Sequence, residues 1–126
     1  MPQRRVTSGS PFEAKFGFCR ALRTDDRVLV AGTAPIWPDG AVDPDPGAQA
    51  RRCFEIIAGA LRELGLDLSK VVRTRMFLVD AADAEAVGAA HAEAFGAHPP
   101  VATMVVVAAL LDPRWRVEIE AEAALT

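Results

Sequence analysis

The sequence predicts a single α/β (α+β) domain, a mixed β-sheet with two helices on one face. Three observations carry that prediction. A stripe of apolar residues at helical spacing runs from Gly47 to Leu64. Short apolar or alternating runs bounded by turn residues mark strands on either side of it, and the segments follow the order ββαβαββ. One domain over residues 1–126 suits a chain of this length. With 51% hydrophobic and 25% charged residues, the composition is that of a globular protein and not of a disordered or fibrous one.

The first two strands are expected at Phe18 to Arg23 and Arg27 to Ala31. Between them stand Thr24, Asp25 and Asp26, whose side chains bond their own backbone and so favour a tight turn. The segment near Arg4 to Ser8 allows one strand more. Pro35, Pro38, Gly40, Pro44, Pro46 and Gly47 then make one long loop. The first helix is the strongest element: Ala50, Cys53, Phe54, Ile57, Leu61 and Leu64 fall on one face, Asp45 and Pro46 supply a cap and a first-turn proline, and Gly65 supplies the stop.

Val71 to Val79 alternates as a strand. Asp80 to Phe95 reads as the second helix, with Asp83 and Glu85 at the positive end of its dipole and Gly96 after it. Val101 to Val107 and Arg116 to about Ala124 close the chain as strands. Val101 to Val107 is apolar or small on both of its faces, and two helices cover only one side of a sheet. The uncovered side therefore calls for a self-association interface, so the pattern predicts a homo-oligomer.

Several function classes lose support at this level. The longest nearly unbroken apolar run, Val101 to Leu111, is far below the ~20 residues of a membrane span, and Thr7 to Ser10 stand where an export signal would be apolar. No membrane partner and a cytoplasmic location are expected. Cys19 and Cys53 are too few for a disulfide framework or a paired zinc site. A net charge of −3 with scattered arginines gives no basic stripe for nucleic acid. Phosphate-loop, dinucleotide and serine-hydrolase motifs are missing, so no metal or other cofactor is expected.

The motifs that do occur are Gly17-Phe18-Cys19-Arg20-Ala21, Val30-Ala31-Gly32-Thr33-Ala34-Pro35, Gln49 at the start of the first helix, and Leu64-Gly65-Leu66-Asp67-Leu68-Ser69-Lys70-Val71-Val72-Arg73-Thr74. Near the C-terminus stand Pro100-Val101-Ala102-Thr103 and Val117-Glu118-Ile119-Glu120-Ala121. Together, over residues 17 to 124, they resemble the RidA/YjgF family. That resemblance implies a chorismate-mutase-like fold, a homotrimer, and clefts between subunits that bind a small metabolite and, in archetypal members, hydrolyse imines and enamines with release of ammonia. It also brings a ribonuclease activity sometimes attached to the family, against which the acidic charge balance argues.

Carried over residue by residue, the resemblance makes Glu118 the group that positions or activates water, a general acid or base. Phe18 takes the place of the cleft aromatic, Gly32 and Thr33 the segment whose backbone holds ligand, and Ala102 and Thr103 the place of Arg-Ser in the family's Pro-Ala-Arg-Ser motif. Ala102 thus removes a bidentate carboxylate clamp, which puts 2-imino acid hydrolysis in question. Arg75 and His91 are the candidate replacements.

Plainer readings stand beside these. Glu118, Glu120 and Glu122 share one strand face, where crowding raises carboxyl pKa values and where Arg73 and Arg75 also offer pairing partners. Pairing is the expectation for Glu120 and Glu122; for Glu118 both readings stay open. His91 lies on an apolar helical stripe, where packing is the commoner role. Enzymatic activity is thus left open, as hydrolysis of a C=N bond, against a non-catalytic small-molecule-binding or protein-interaction module.

Overall fold

The structure, a computed structural model, describes residues 3–125. Its strands are β1 (Arg4–Val6), β2 (Ala21–Arg23), β3 (Arg27–Thr33), β4 (Val71–Leu78), β5 (Val101–Val106) and β6 (Val117–Ala124). Its helices are α1 (Pro11–Phe16), α2 (Pro46–Glu63) and α3 (Ala84–Phe95). The six strands form one mixed sheet in the order β1-β2-β3-β6-β4-β5, with β4 and β5 parallel and every other pair antiparallel.

Local chemistry sets the element ends. Asp45 accepts the Ala48 N–H at 2.8 Å with Pro46 at the first helical position, so α2 starts as its cap signals require. It stops where Gly65, at φ +81°, turns left-handed. There the Leu66 N–H reaches Leu61 O and the Gly65 N–H reaches Arg62 O, which satisfies carbonyls the helix end would leave bare. The β2–β3 turn closes through the Thr24 N–H to Arg27 O at 2.9 Å, and Thr24 Oγ1 also reaches Arg27 O.

Ala50, Cys53, Phe54, Ile57 and Leu61 of α2 and Val87, Ala90 and Phe95 of α3 bury against Val28, Val30, Met76, Leu78, Val117 and Ile119 of the sheet. Removing the Val, Leu, Ile, Phe and Met side chains among them from water supplies ~1.5–3 kcal/mol each. The alternate positions of β4 and β6, including Arg73, Arg75, Phe77, Glu118, Glu120 and Glu122, look away from that core, so α2 and α3 cover a single face.

The first predicted strand, β2, is shorter than expected, starting at Ala21 rather than Phe18, and two helical features also depart from the sequence reading. α1 was not expected, although Ser10-Pro11 and Gly17 punctuate it; Gly17, at φ +77°, ends it with its N–H on Glu13 O at 2.9 Å. The second predicted helix begins later than Asp80: a 3-10 turn over Ala81–Asp83 precedes α3. Asp83 does not cap α3 with its side chain. Its carboxylate instead accepts both Nε and Nη2 of Arg116, at 2.8 and 2.9 Å, which ties the start of α3 to the start of β6.

Candidate functional site

Glu118 follows Val117 on β6 and faces the open side of the sheet opposite Phe77. Beside it, the β3–β6 ladder shifts register between Val30 and Thr33, and the irregular stretch contains Gly32. A methyl group built on Gly32 would lie 2.5 Å from Glu118 Oε2, so any side chain there would have to displace the carboxylate from this position. Burial pushes the Glu118 carboxyl above the ordinary range, the Arg20 charge pulls it back, and Glu120 adds a smaller upward push. A carboxyl held nearer neutrality is suited to exchanging protons with a reacting group.

Arg20, which sequence reasoning quoted in a motif but gave no role, organises this corner. It is buried at the end of the Gly17–Ala21 segment. Its Nη1 donates to Gly32 O at 2.8 Å and to Thr33 Oγ1 at 3.0 Å, and its Nε lies 3.4 Å from Glu13 Oε2. Glu13 in turn accepts the N–H of Ser8 at 3.0 Å and the hydroxyl of Ser8. The guanidinium sits 5.5 Å from the centre of the Phe18 ring. Thr33 donates its hydroxyl to Ala31 O at 2.8 Å.

Ser8, Phe18, Arg20, Gly32, Thr33 and Glu118 line a cavity of about 540 Å³, within the range of small-molecule sites. Phe18, Gly32, Thr33 and Glu118 of the predicted set all lie on it. Its apolar wall comes from parts of the chain the sequence did not connect: Phe12 and Phe16 of α1, Trp37 of the long loop, and Trp115 ahead of β6. Phe12 stacks on Phe16 at 5.9 Å and meets Trp115 edge-on at 6.0 Å.

Arg75 lies on a neighbouring, larger hollow over the open face of the sheet, of about 1020 Å³, which shares Phe18 and the 9–11 segment with the Glu118 cavity. There Arg75 Nη1 donates to Glu120 at 2.9 Å and lies 3.8 Å from Glu122, which Arg73 also approaches at 3.8 Å. Arg75 thus stands paired rather than waiting for an anion. His91 lies on the other side of the sheet. Its Nε2 and Thr74 Oγ1 are 2.8 Å apart, its ring packs on Phe54 and Phe95, and burial holds its pKa below the ordinary value.

Ala102 and Thr103 sit on the sheet-edge strand β5, exposed, paired in register with Thr74 and Arg75. Neither lines the Glu118 cavity within one chain. Gln49 closes a structural knot: it donates to Asp43 O and Arg114 O and accepts the Arg116 N–H at 2.7 Å. Burial pushes the Cys53 thiol far up and the Glu118 charge adds to the effect, so Cys53 is a packing group. Among the described residues, no cluster of His, Cys, Asp and Glu is arranged to hold a metal ion, and no helix is long and apolar enough to cross a membrane.

Residues 9–125 match the family described as endoribonuclease L-PSP. A Streptomyces coelicolor protein, SCO2049, is 44% identical over 121 residues, 95% of this chain and 90% of its own. The 2-iminobutanoate/2-iminopropanoate deaminase of Salmonella typhimurium is 33% identical over 97 residues, 75% of this chain and 76% of its own. The crystal structure of Rv2704 from Mycobacterium tuberculosis, a member of the YjgF/YER057c/UK114 family, superimposes with a TM-score of 0.91 at 41% identity, covering 98% of this chain and all of the other. With the sequence motifs, the sheet order and the match over 9–125 agreeing, the chain belongs to the endoribonuclease L-PSP family, the RidA/YjgF proteins.

Proposed function

We propose that the protein binds a small metabolite in the Glu118 cavity and hydrolyses a reactive imine or enamine there, releasing ammonia. The observation that carries the reading is Glu118 itself, a carboxyl raised by burial on the wall of a ligand-sized cavity. As the carboxylate, Glu118 takes a proton from water while the water oxygen bonds to the imine carbon. As the acid, it returns that proton to the nitrogen of the carbinolamine; as the C–N bond breaks, the regenerated carboxylate takes the hydroxyl proton while the C=O bond forms, and a carbonyl compound and ammonia leave. The deaminase name of the Salmonella relative supports this chemistry.

The cavity belongs, in this reading, to a cytoplasmic homotrimer in which a neighbouring subunit closes it. The edge strand supports that assembly: Val101 is 60% exposed and Val106 54% exposed, an apolar margin that a second copy would bury. The test is ammonia release from freshly generated imines, both amino-acid-derived and neutral. No acceleration across that panel, or full activity in Glu118→Gln, would sink the proposal.

One observation favours a second reading, a non-catalytic binding module on the same scaffold. Ala102 brings no charge to the edge strand, and Arg75 is held by Glu120. Ala102→Arg separates the two: a gain in imine hydrolysis marks a catalyst short of one group, and continued silence marks a binder.

A further inference from the structure

We propose that Arg20 is the anion-binding group of the Glu118 cavity, and that the cavity takes ligands joining a carboxylate to an aromatic ring. The inference rests on the assignment of this cavity as the ligand site and not on its catalysis. Two independent features of the cavity wall point to it.

The first is the cation. Two arginines, Arg20 and Arg52, line the cavity with Glu118; Arg52 donates its Nε to Ile36 O at 2.8 Å and lies 3.9 Å from Glu55 at the more exposed rim, and Arg75, outside the cavity, is tied to Glu120. The bonds of Arg20 to Glu13, Gly32 and Thr33 use Nε and Nη1 and fix the plane of the guanidinium, so Nη2 is the nitrogen left to meet a ligand. A fork whose orientation is already fixed loses less entropy on binding a carboxylate.

The second is the concentration of rings. The chain has six Phe, two Trp and no Tyr. Five of these eight rings, those of Phe12, Phe16, Phe18, Trp37 and Trp115, line this one cavity. Trp115 is buried at the base, but the outer rings are not sealed as a core would be: Phe16 is 57% exposed and Phe18 39% exposed. Open aromatic faces beside a fixed guanidinium match a flat apolar group carrying an anion.

Both tryptophans lie on the wall, so their fluorescence reports occupancy directly. The full-length protein is titrated with phenylacetate, phenylacetamide and acetate at pH 7. Phenylacetate should bind at least tenfold more tightly than the amide, which lacks the charge, and at least tenfold more tightly than acetate, which lacks the ring. Equal binding of amide and carboxylate would reduce Arg20 to a brace. Equal binding of acetate, or no response to any probe, would overturn the aromatic site.

Arg20→Gln should erase the preference for phenylacetate over the amide, and Arg20→Lys should keep part of it. If Arg20→Gln melts at low temperature, Arg52→Gln, at the other arginine on the wall, decides: it should leave the preference for phenylacetate in place, and loss of the preference there would overturn the assignment to Arg20. Glu118→Gln should keep phenylacetate affinity at or above the wild-type level while losing turnover. A failed hydrolysis assay therefore leaves the binding test standing, and the reverse also holds.

Discussion

Glu118 and the pair Glu120 and Glu122 are the same residue type on the same face of the same strand, yet their surroundings differ in kind. Glu120 and Glu122 face the middle of the open sheet, where Arg73, Arg75 and Arg27 stand 2.9 to 3.8 Å away in a partly exposed ladder. Glu118, at the β3 irregularity, has the bare backbone of Gly32 and a ring-lined cavity beside it, and the nearby Arg20 is braced on Gly32 and Thr33 through Nη1 rather than bonded to Glu118. The difference teaches that strand alternation places a carboxyl on a face, and that the neighbouring strands decide whether it pairs in a salt bridge or stands half-buried with its pKa raised.

The largest effect should separate the two ends of this row by activity. Glu118→Gln should lower kcat/KM for imine hydrolysis by ~10²–10⁴, the usual worth of a general acid-base group. Glu120→Gln and Glu122→Gln should stay within about threefold of the wild type, since their arginines serve the ladder. Ammonia release from one common imine compares all three variants; equal losses would erase the distinction.

Next in size is the space beside Glu118. Gly32→Ala places a methyl group 2.5 Å from Glu118 Oε2. Because the atom it meets is the end of a flexible side chain, it should displace the carboxylate at a cost in stability below ~1 kcal/mol and lower kcat/KM for imine hydrolysis. Urea unfolding and ammonia release measure the two, and unchanged turnover would mean that the position of the carboxylate does not matter.

A smaller effect concerns pH. Because burial raises the Glu118 pKa in the folded state, the native protein holds that proton more tightly than the unfolded chain does. Its contribution to stability is complete below the unfolded pKa and is lost as pH rises through the folded pKa. Glu118→Gln removes this dependence and should melt at the wild-type temperature or above it at pH 7, which calorimetry across pH 4 to 8 checks. Smallest of all, Glu120→Gln should change stability by no more than ~1 kcal/mol, and less in high salt, because the Arg75–Glu120 pair is partly exposed.

Much of the scaffold was legible because its signals are local. The Asp45-Pro46 start, the i, i+3, i+4 stripe and Gly65 mark α2 within one window, and alternation marks β4 and β6. α1 escaped because six residues are too few to show a period, and only Ser10-Pro11 and Gly17 announced it. The row of glutamates and its arginine partners followed from strand alternation. Arg20 did not, since its importance lies in bonds to residues twelve and thirteen positions away across a strand pair. Nor did the aromatic wall, whose rings come from α1, the long loop and the segment before β6. His91 illustrates the limit from the other side: its helical stripe was visible, but only the fold shows that the stripe meets Thr74 on the face away from Glu118.

The most direct test of the distinction between Glu118 and its neighbours is a carboxyl-carbon NMR titration of the side chain of Glu118, assigned with Glu118→Gln and repeated in Arg20→Gln. The midpoint should lie above the ordinary glutamate range in the wild type and move further up when the Arg20 charge is removed. A midpoint within the ordinary range, or one that Arg20→Gln leaves in place or lowers, would contradict the assignment of Glu118 as the buried proton carrier of the cavity.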